Sequence, residues 1–202
     1  MPTLLKNNTS PFARIAHAAL IDAAVPDLTV QIADQWNDDP ALLAVNSAGR
    51  VPCLVLDDGT AIAECLLIAR YADNVGEAPS PGNDAPQILS IAGLALGVCD
   101  AAVQTLVGRK IVSGDFADTT FDASPIGRKR RRTMVDGLAE LDARIDAPGE
   151  RLDLATIAAV TALDYVALRF PGADWVPDTP HLAALRSATA ERPAFRDTRP
   201  FL

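Results

Sequence analysis

Cysteine, histidine and aromatic residues are scarce in this chain of 202 residues, and each shortage removes a class of function. The three cysteines, Cys53, Cys65 and Cys99, are odd in number, include no Cys-x-x-Cys pair and lack metal-site spacing. The two histidines, His17 and His181, stand far apart and complete no zinc set. No metal is therefore expected, and a reducing cytoplasm is the expected compartment. A run of about 18 uncharged apolar residues is missing as well; the nearest, Ile88 to Cys99, ends at Asp100, so no membrane span is expected. The opening Met-Pro-Thr-Leu-Leu-Lys turns polar too soon for a signal peptide. Positive charge is in deficit: 18 Lys and Arg face 26 Asp and Glu, a net charge of −8. That balance argues against a general role on nucleic acid or an anionic membrane.

What remains is ordinary for a globular protein, with 49% hydrophobic and 22% charged residues, and the length suffices for one large domain or two small ones. Thr3 to Lys6 reads as a short strand. Ser10 as cap and Pro11 at the first helical position start a helix whose apolar side is Phe12, Ile15, Ala16, Ala19 and Leu20. A second strand covers Leu28 to Ile32, and Asp39 to Val45 is at most a helical turn. Gly76 to Pro86, rich in Pro, Gly, Asn and Asp, is the clearest linker. Beyond it strand signals vanish, and helices are expected from Gln87 to about Val112, Ser124 to Ile145, Leu154 to about Arg169 and Pro180 to Glu191. The expected organisation is an α/β domain over 1–76, a linker over 77–86 and an all-helical domain over 87–202.

The stretch from Asn46 to Ala72 carries the most information. A Gly49-Arg50-Val51-Pro52 turn enters the apolar strand Pro52 to Leu56; Asp57-Asp58-Gly59 is a hairpin signal; a strand at Thr60 to Ile62 leads to a helix beginning at Glu64-Cys65. Pro52 has no N–H to give a sheet. With a cis bond before it, the Val51 N–H and C=O would be free for an extended peptide docking as an added strand. The helix start offers N–H groups to a carboxylate, and the Glu64 side chain suits an amine. A small peptide with an amino-acid head group fits such a site.

Gly49-Arg50-Val51-Pro52-Cys53-Leu54 and Ala63-Glu64-Cys65-Leu66-Leu67-Ile68-Ala69-Arg70-Tyr71 resemble the glutathione site of the cytosolic glutathione S-transferases, bacterial members of the serine or cysteine type in particular. The segment Leu152 to Ala158, with Asp164-Tyr165 and Ala190 to Phe195, is similar to the family's helical half, so the resemblance spans both halves. It implies a thioredoxin-like N-terminal domain followed by a helical bundle, a cis-Pro52, Val51 backbone groups paired with the cysteinyl part of glutathione, and Glu64 with the following residue holding its γ-glutamyl end. Cys65 stands where serine is usual, which removes a hydroxyl contact and keeps a backbone N–H. In the segment at Asp153 and Thr156 the family's Ser/Thr-then-Asp order is reversed; Asp caps as well as Ser, so the helix start is expected to survive.

The resemblance also supplies roles for exposed polar residues. Ser10, read locally, is an ordinary helix cap; the family's residue before this Pro-Phe points at the glutathione sulfur. A thiol titrates near 8.5, and a hydroxyl hydrogen bond of about 1.5–3 kcal/mol lowers that by roughly one to two units. The positive end of the helix acts in the same direction. Thr9 is the alternative residue for that position. Arg50 is either a solvated turn residue or a contact to the glycine carboxylate, and Phe12 is a candidate wall of a second-substrate site with the facing side of the helix after Gln87. Cys53 and Cys99 read as core; Cys65 reads as buried and inert, or as a thiol acidified at a helix start. Arg128 to Arg132 covers more than one helical turn and cannot line one face; it reads as a solvated helix start, or else as a local anion site for an acidic second substrate or a partner subunit.

Together these imply a glutathione transferase of the conjugating, detoxifying kind: glutathione as co-substrate, a small electrophile as second substrate, and a homodimer with Gly93 and Gly97 as a possible helix contact. A glutathione-dependent thiol or peroxide reductase leaning on Cys65 or Thr9, and a non-catalytic binding protein on the same scaffold, are the alternatives.

Overall fold

Four short strands form one mixed sheet in the order β2-β1-β3-β4, made of Thr3–Lys6 (β1), Thr29–Ile32 (β2), Cys53–Val55 (β3) and Ala61–Ala63 (β4). The structure, a computed structural model, describes residues 1–78 and 83–201. β1 pairs with β2 in parallel and with β3 antiparallel, and β3 pairs antiparallel with β4. Alternation along β1 sends neighbouring side chains to opposite faces. Leu4, fully buried, joins the main core with Ile15 and Leu20 of α1 (Pro11–Asp22) and Ile68 of α3 (Cys65–Val75). Leu5 instead packs with Cys53, Ala33 and Leu42 of α2 (Pro40–Val45) on the other side. The result is the thioredoxin-like α/β unit that the sequence implied.

The rest is helical: α4 (Pro86–Ser113), a 3-10 turn at Thr120–Ala123, α5 (Pro125–Arg144), α6 (Leu154–Arg169), α7 (Pro180–Thr189) and α8 (Pro193–Arg196). α6 is the central rod, with Ala158, Ala159 and Ala162 essentially without exposure against α4 and α1. α4 has an 18-residue window apolar enough to cross a membrane by length and composition, which the broken run read at Ile88 to Cys99 did not suggest. Half of that window is buried inside the chain, in the core it shares with α5 and α6. Local signals hold at the helix starts. Asp153 Oδ1 accepts from Thr156 N at 2.7 Å, and Asn83 Oδ1 accepts from Leu154 N at 2.8 Å. Ser124 Oγ likewise caps α5 through Gly127 N at 2.9 Å.

Several expectations are corrected. β3 excludes Pro52, which lacks the ladder N–H, and the chain runs through Leu56 to Thr60 as a turn, with Gly59 at φ 83°. The last helix stops at Thr189, and a separate turn of helix, α8, begins at Pro193. Gly93 and Gly97 are exposed, and a Cβ added at either would meet nothing within 4 Å. Within the chain, α5 approaches α4 closely at Gly137, where a Cβ would stand 2.5 Å from Val98 Cγ2 of α4. Part of the expected linker, residues 79–82, lies outside the described residues. The basic run disperses as its helical spacing dictates: Arg130 approaches Asp100 at 3.6 Å, while the Arg131 guanidinium lies 5.6 Å from the Trp175 ring centroid.

Candidate functional site

The loop between β1 and α1 is built by Asn7. Its Oδ1 accepts from Ser10 N at 2.6 Å and Thr9 N at 3.2 Å, and its Nδ2 donates to Gln35 Oε1 at 2.7 Å. This Asx turn fixes both hydroxyl residues at the mouth of a cavity. Ser10 caps α1, its Oγ accepting from Ala13 N at 3.2 Å. A hydroxyl has one donor and two acceptor lone pairs, so capping leaves the Ser10 proton available to another acceptor. The two readings of Ser10 are thus compatible in one geometry.

Across from this loop lies a narrow cleft of about 50 Å³, lined by Phe12, Asn46, Arg50, Val51, Pro52 and Glu64 among others. The Val51–Pro52 bond is cis. Val51 N–H and C=O enter no backbone hydrogen bond among the described residues. Asn46 Nδ2 donates to Arg50 O at 2.9 Å and holds the turn. Glu64 sits at φ 72°, a conformation that costs a non-glycine residue roughly 1–3 kcal/mol, and its side chain makes no cap hydrogen bond to α3. The first N–H groups of α3 therefore lack a side-chain cap. Arg50 Nη1 stands 3.3 Å from Glu64 Oε1, both largely exposed. An exposed pair of this kind exchanges readily with solvent or ligand charges.

The cleft shares Phe12, Arg50 and Val51 with the larger cavity of about 550 Å³. Ser10, Thr9 and Phe12 stand on its α/β side, Val103, Gln104 and Leu106 of α4 and Tyr165 and Arg169 of α6 on its helical side. Trp36 and Phe116 meet edge to face, ring centroids 5.9 Å apart, and bridge the two sides. Every candidate residue except Cys65 lines one of the two connected spaces. Cys65 is buried, 3% exposed, and burial first, then the Glu64 charge, pushes its thiol up to about 12. The acidified-thiol alternative is therefore overturned: desolvation of the thiolate outweighs the helix-start N–H groups. Cys99 is fully buried and burial raises its thiol further, and Cys53 is raised for the same reason. Among the described residues no three His, Cys, Asp or Glu side chains converge as metal ligands.

Asn7, Gln35, Trp36, Phe116 and Arg169 are not singled out by the sequence as site residues, and Tyr165 enters there only through the resemblance of the helical half. Asn7 alone had a local signal, an Asn three residues before a Ser-Pro helix start. The others come from segments that only the fold brings together.

Residues 9–75 match the family model described as glutathione S-transferase, N-terminal domain. Over the whole length the chain is similar to an uncharacterized GST-like protein of Escherichia coli, YibF, at 27% identity with 98% of each chain covered. Among solved structures, a glutathione S-transferase of Methylobacterium radiotolerans in complex with glutathione sulfonate superposes with a TM-score of 0.84 at 27% identity, covering 100% of this chain and 95% of that one. A glutathione S-transferase of Methylobacillus flagellatus with glutathione bound gives the same TM-score at 26% identity, with both chains covered completely. A cis-Pro52 turn beside an uncapped helix start, the Ser-Pro start of α1 and these likenesses agree: residues 9–75 match the glutathione S-transferase N-terminal domain, and the chain over its whole length is similar to glutathione S-transferases.

Proposed function

We propose that the chain binds reduced glutathione in the cleft at Val51 and Glu64 and promotes attack of its thiolate on a small electrophile held in the adjoining cavity. The observation that carries this reading is the Ser10 hydroxyl on the wall of the cavity at the start of α1, beside a cleft that shares Phe12, Arg50 and Val51 with that cavity. Glutathione would lie extended along Val51, its γ-glutamyl carboxylate at the open start of α3 near Glu64 and Cys65 N–H, its glycine carboxylate near Arg50. Ser10 would donate to the thiolate; Thr9 occupies the same rim and is the alternative donor. Phe12 and the Val103 side of α4 would wall the electrophile. Relatives with glutathione or glutathione sulfonate bound support the co-substrate. The buried Cys65 thiol speaks against a reductase using it as nucleophile. In this reading residues 1–76 form the glutathione domain and 87–202 the helical one, the enzyme works in a reducing cytoplasm in detoxification, and the open α4 face at Leu89, Gly93 and Gly97 receives a second copy.

The test is calorimetric titration of wild type, Ser10→Ala and Thr9→Ala with glutathione, alongside conjugation to 1-chloro-2,4-dinitrobenzene. Ser10→Ala is expected to bind glutathione, to raise the bound thiol's pKa by about one to two units and to lose roughly ten- to a hundredfold in turnover near neutral pH. The same loss in Thr9→Ala alone would reassign the donor. No glutathione binding by wild type at millimolar concentration would overturn the reading.

A further inference from the structure

The cavity facing Ser10 holds three charged residues, and two have an ion-pair partner. Arg50 is paired with Glu64 at 3.3 Å, and Asp100 with Arg130 at 3.6 Å. The third, Arg169 in the last turn of α6, forms no ion pair among the described residues. It is half-buried, and its Nε is shielded from solvent with no hydrogen-bond partner. Its guanidinium carbon lies 5.6 Å from the centroid of the Tyr165 ring, which faces the same cavity. Burial pushes the Tyr165 phenol up to about 12 against the opposing pull of Arg169, so the hydroxyl remains a donor at neutral pH. An unneutralised guanidinium partly withdrawn from water is costly, and an anion placed beside it removes that cost. A guanidinium with a phenol donor at its side matches the two oxygens of a carboxylate. Walls of Phe12, Trp36, Val103 and Phe116 meanwhile suit a flat apolar body.

We propose that the second substrate is an electrophile carrying a carboxylate, which Arg169 and Tyr165 hold so that the electrophilic carbon faces the sulfur beside Ser10. The proposal rests on the conjugation reading and names its substrate class. In the reaction the thiolate sulfur bonds to the electrophilic carbon, and that carbon's bond to the leaving group breaks. With an aryl chloride, chloride departs with the bonding pair; the carboxylate is unchanged, and Arg169 acts as a binding residue.

The experiment compares 4-chloro-3,5-dinitrobenzoate with its neutral carboxamide, in turnover with glutathione and as chemically prepared glutathione conjugates titrated by calorimetry. Wild type is expected to favour the carboxylate roughly tenfold or more in both readouts, the scale of one charge-assisted hydrogen bond. In Arg169→Met the carboxylate-to-carboxamide ratio is expected to fall towards one, with partial recovery in Arg169→Lys. A ratio near one in wild type, or an unchanged ratio in Arg169→Met, overturns the proposal. Glutathione binding with no charge preference overturns this inference alone. Preference for the carboxylate conjugate with turnover of neither chloride supports anion recognition and overturns conjugation. Failure to bind glutathione and both conjugates overturns both.

Discussion

Asp164→Ala probes the contact that ties α1 to the helical half. Asp164 Oδ2 accepts from Arg14 Nη1 at 2.6 Å, and Asp164 Oδ1 lies 2.7 Å from Arg186 Nε. The two arms differ in burial: the Arg14 side chain is 6% exposed and Asp164 13%, whereas Arg186 is 53% exposed. Removing one partner of a buried pair costs about 3–5 kcal/mol, because the remaining charge is left without a counterion, while an exposed pair contributes about 0–1 kcal/mol. Arg14 would retain the Thr198 hydroxyl at 3.4 Å and the Phe195 ring at 5.8 Å, and a cavity of about 510 Å³ beside it admits water. Both features draw the expectation to the lower end, about 3 kcal/mol. At roughly 2–4 °C per kcal/mol for a chain of this size, Tm should fall by about 6–12 °C. Arg186→Ala should shift it by less than about 4 °C. In Arg14→Met/Asp164→Leu no charge is stranded, and most of the loss should be recovered. Thermal unfolding followed by circular dichroism reads all three. An Asp164→Ala Tm within about 2 °C of wild type, or an equal loss in Arg186→Ala, would refute the assignment of the energy to the buried arm.

Two further expectations follow from burial. All three cysteines are buried, with Cys65 pushed up to about 12, so the folded chain should react with a thiol reagent only after denaturation, when three thiols appear. Rapid labelling of any one of them in the folded chain would contradict their placement. His17 is 8% exposed and its Nδ1 has no hydrogen-bond partner; burial, reinforced by Lys6 and opposed by Asp197, lowers it to about 4. The unfolded chain protonates His17 near its ordinary value of 6.5 and the folded chain only near 4, so stability contributed by the neutral ring is lost as pH falls through that window. The slope is at most about 1.4 kcal/mol per pH unit, and His17→Leu should flatten the dependence of Tm on pH between 6.5 and 4; an unchanged slope would place the titration elsewhere.

Much of the local structure is readable because its information is contiguous. Ser10-Pro11 starts α1, Asp58-Gly59 turns β3 into β4, Asp153 caps α6, and Gly49 to Leu54 with Glu64 to Tyr71 form two uninterrupted motifs. Caps and turns are hydrogen bonds within a few residues, so side-chain identity and spacing suffice to specify them. Other features have no such local record. Whether Cys65 is acidified or inert depended on how completely the core closes over it. Whether the glycines of α4 or of α5 take the close helix contact within the chain depended on which face turned inward. The wall opposite Ser10 draws Trp36, Phe116, Tyr165 and Arg169 from the loop after β2, the loop after α4 and the C-terminal part of α6, and Arg14 meets Asp164 across 150 residues of sequence. The sequence by itself determined the helix starts, the turn and the Gly49-to-Pro52 motif, because these are short-range; the cis form of the Val51–Pro52 bond came from the resemblance and is seen in the structure. Only the tertiary structure decided which charges are paired and which, like Arg169, are left facing the cavity, because pairing and burial are set by elements that are distant along the chain.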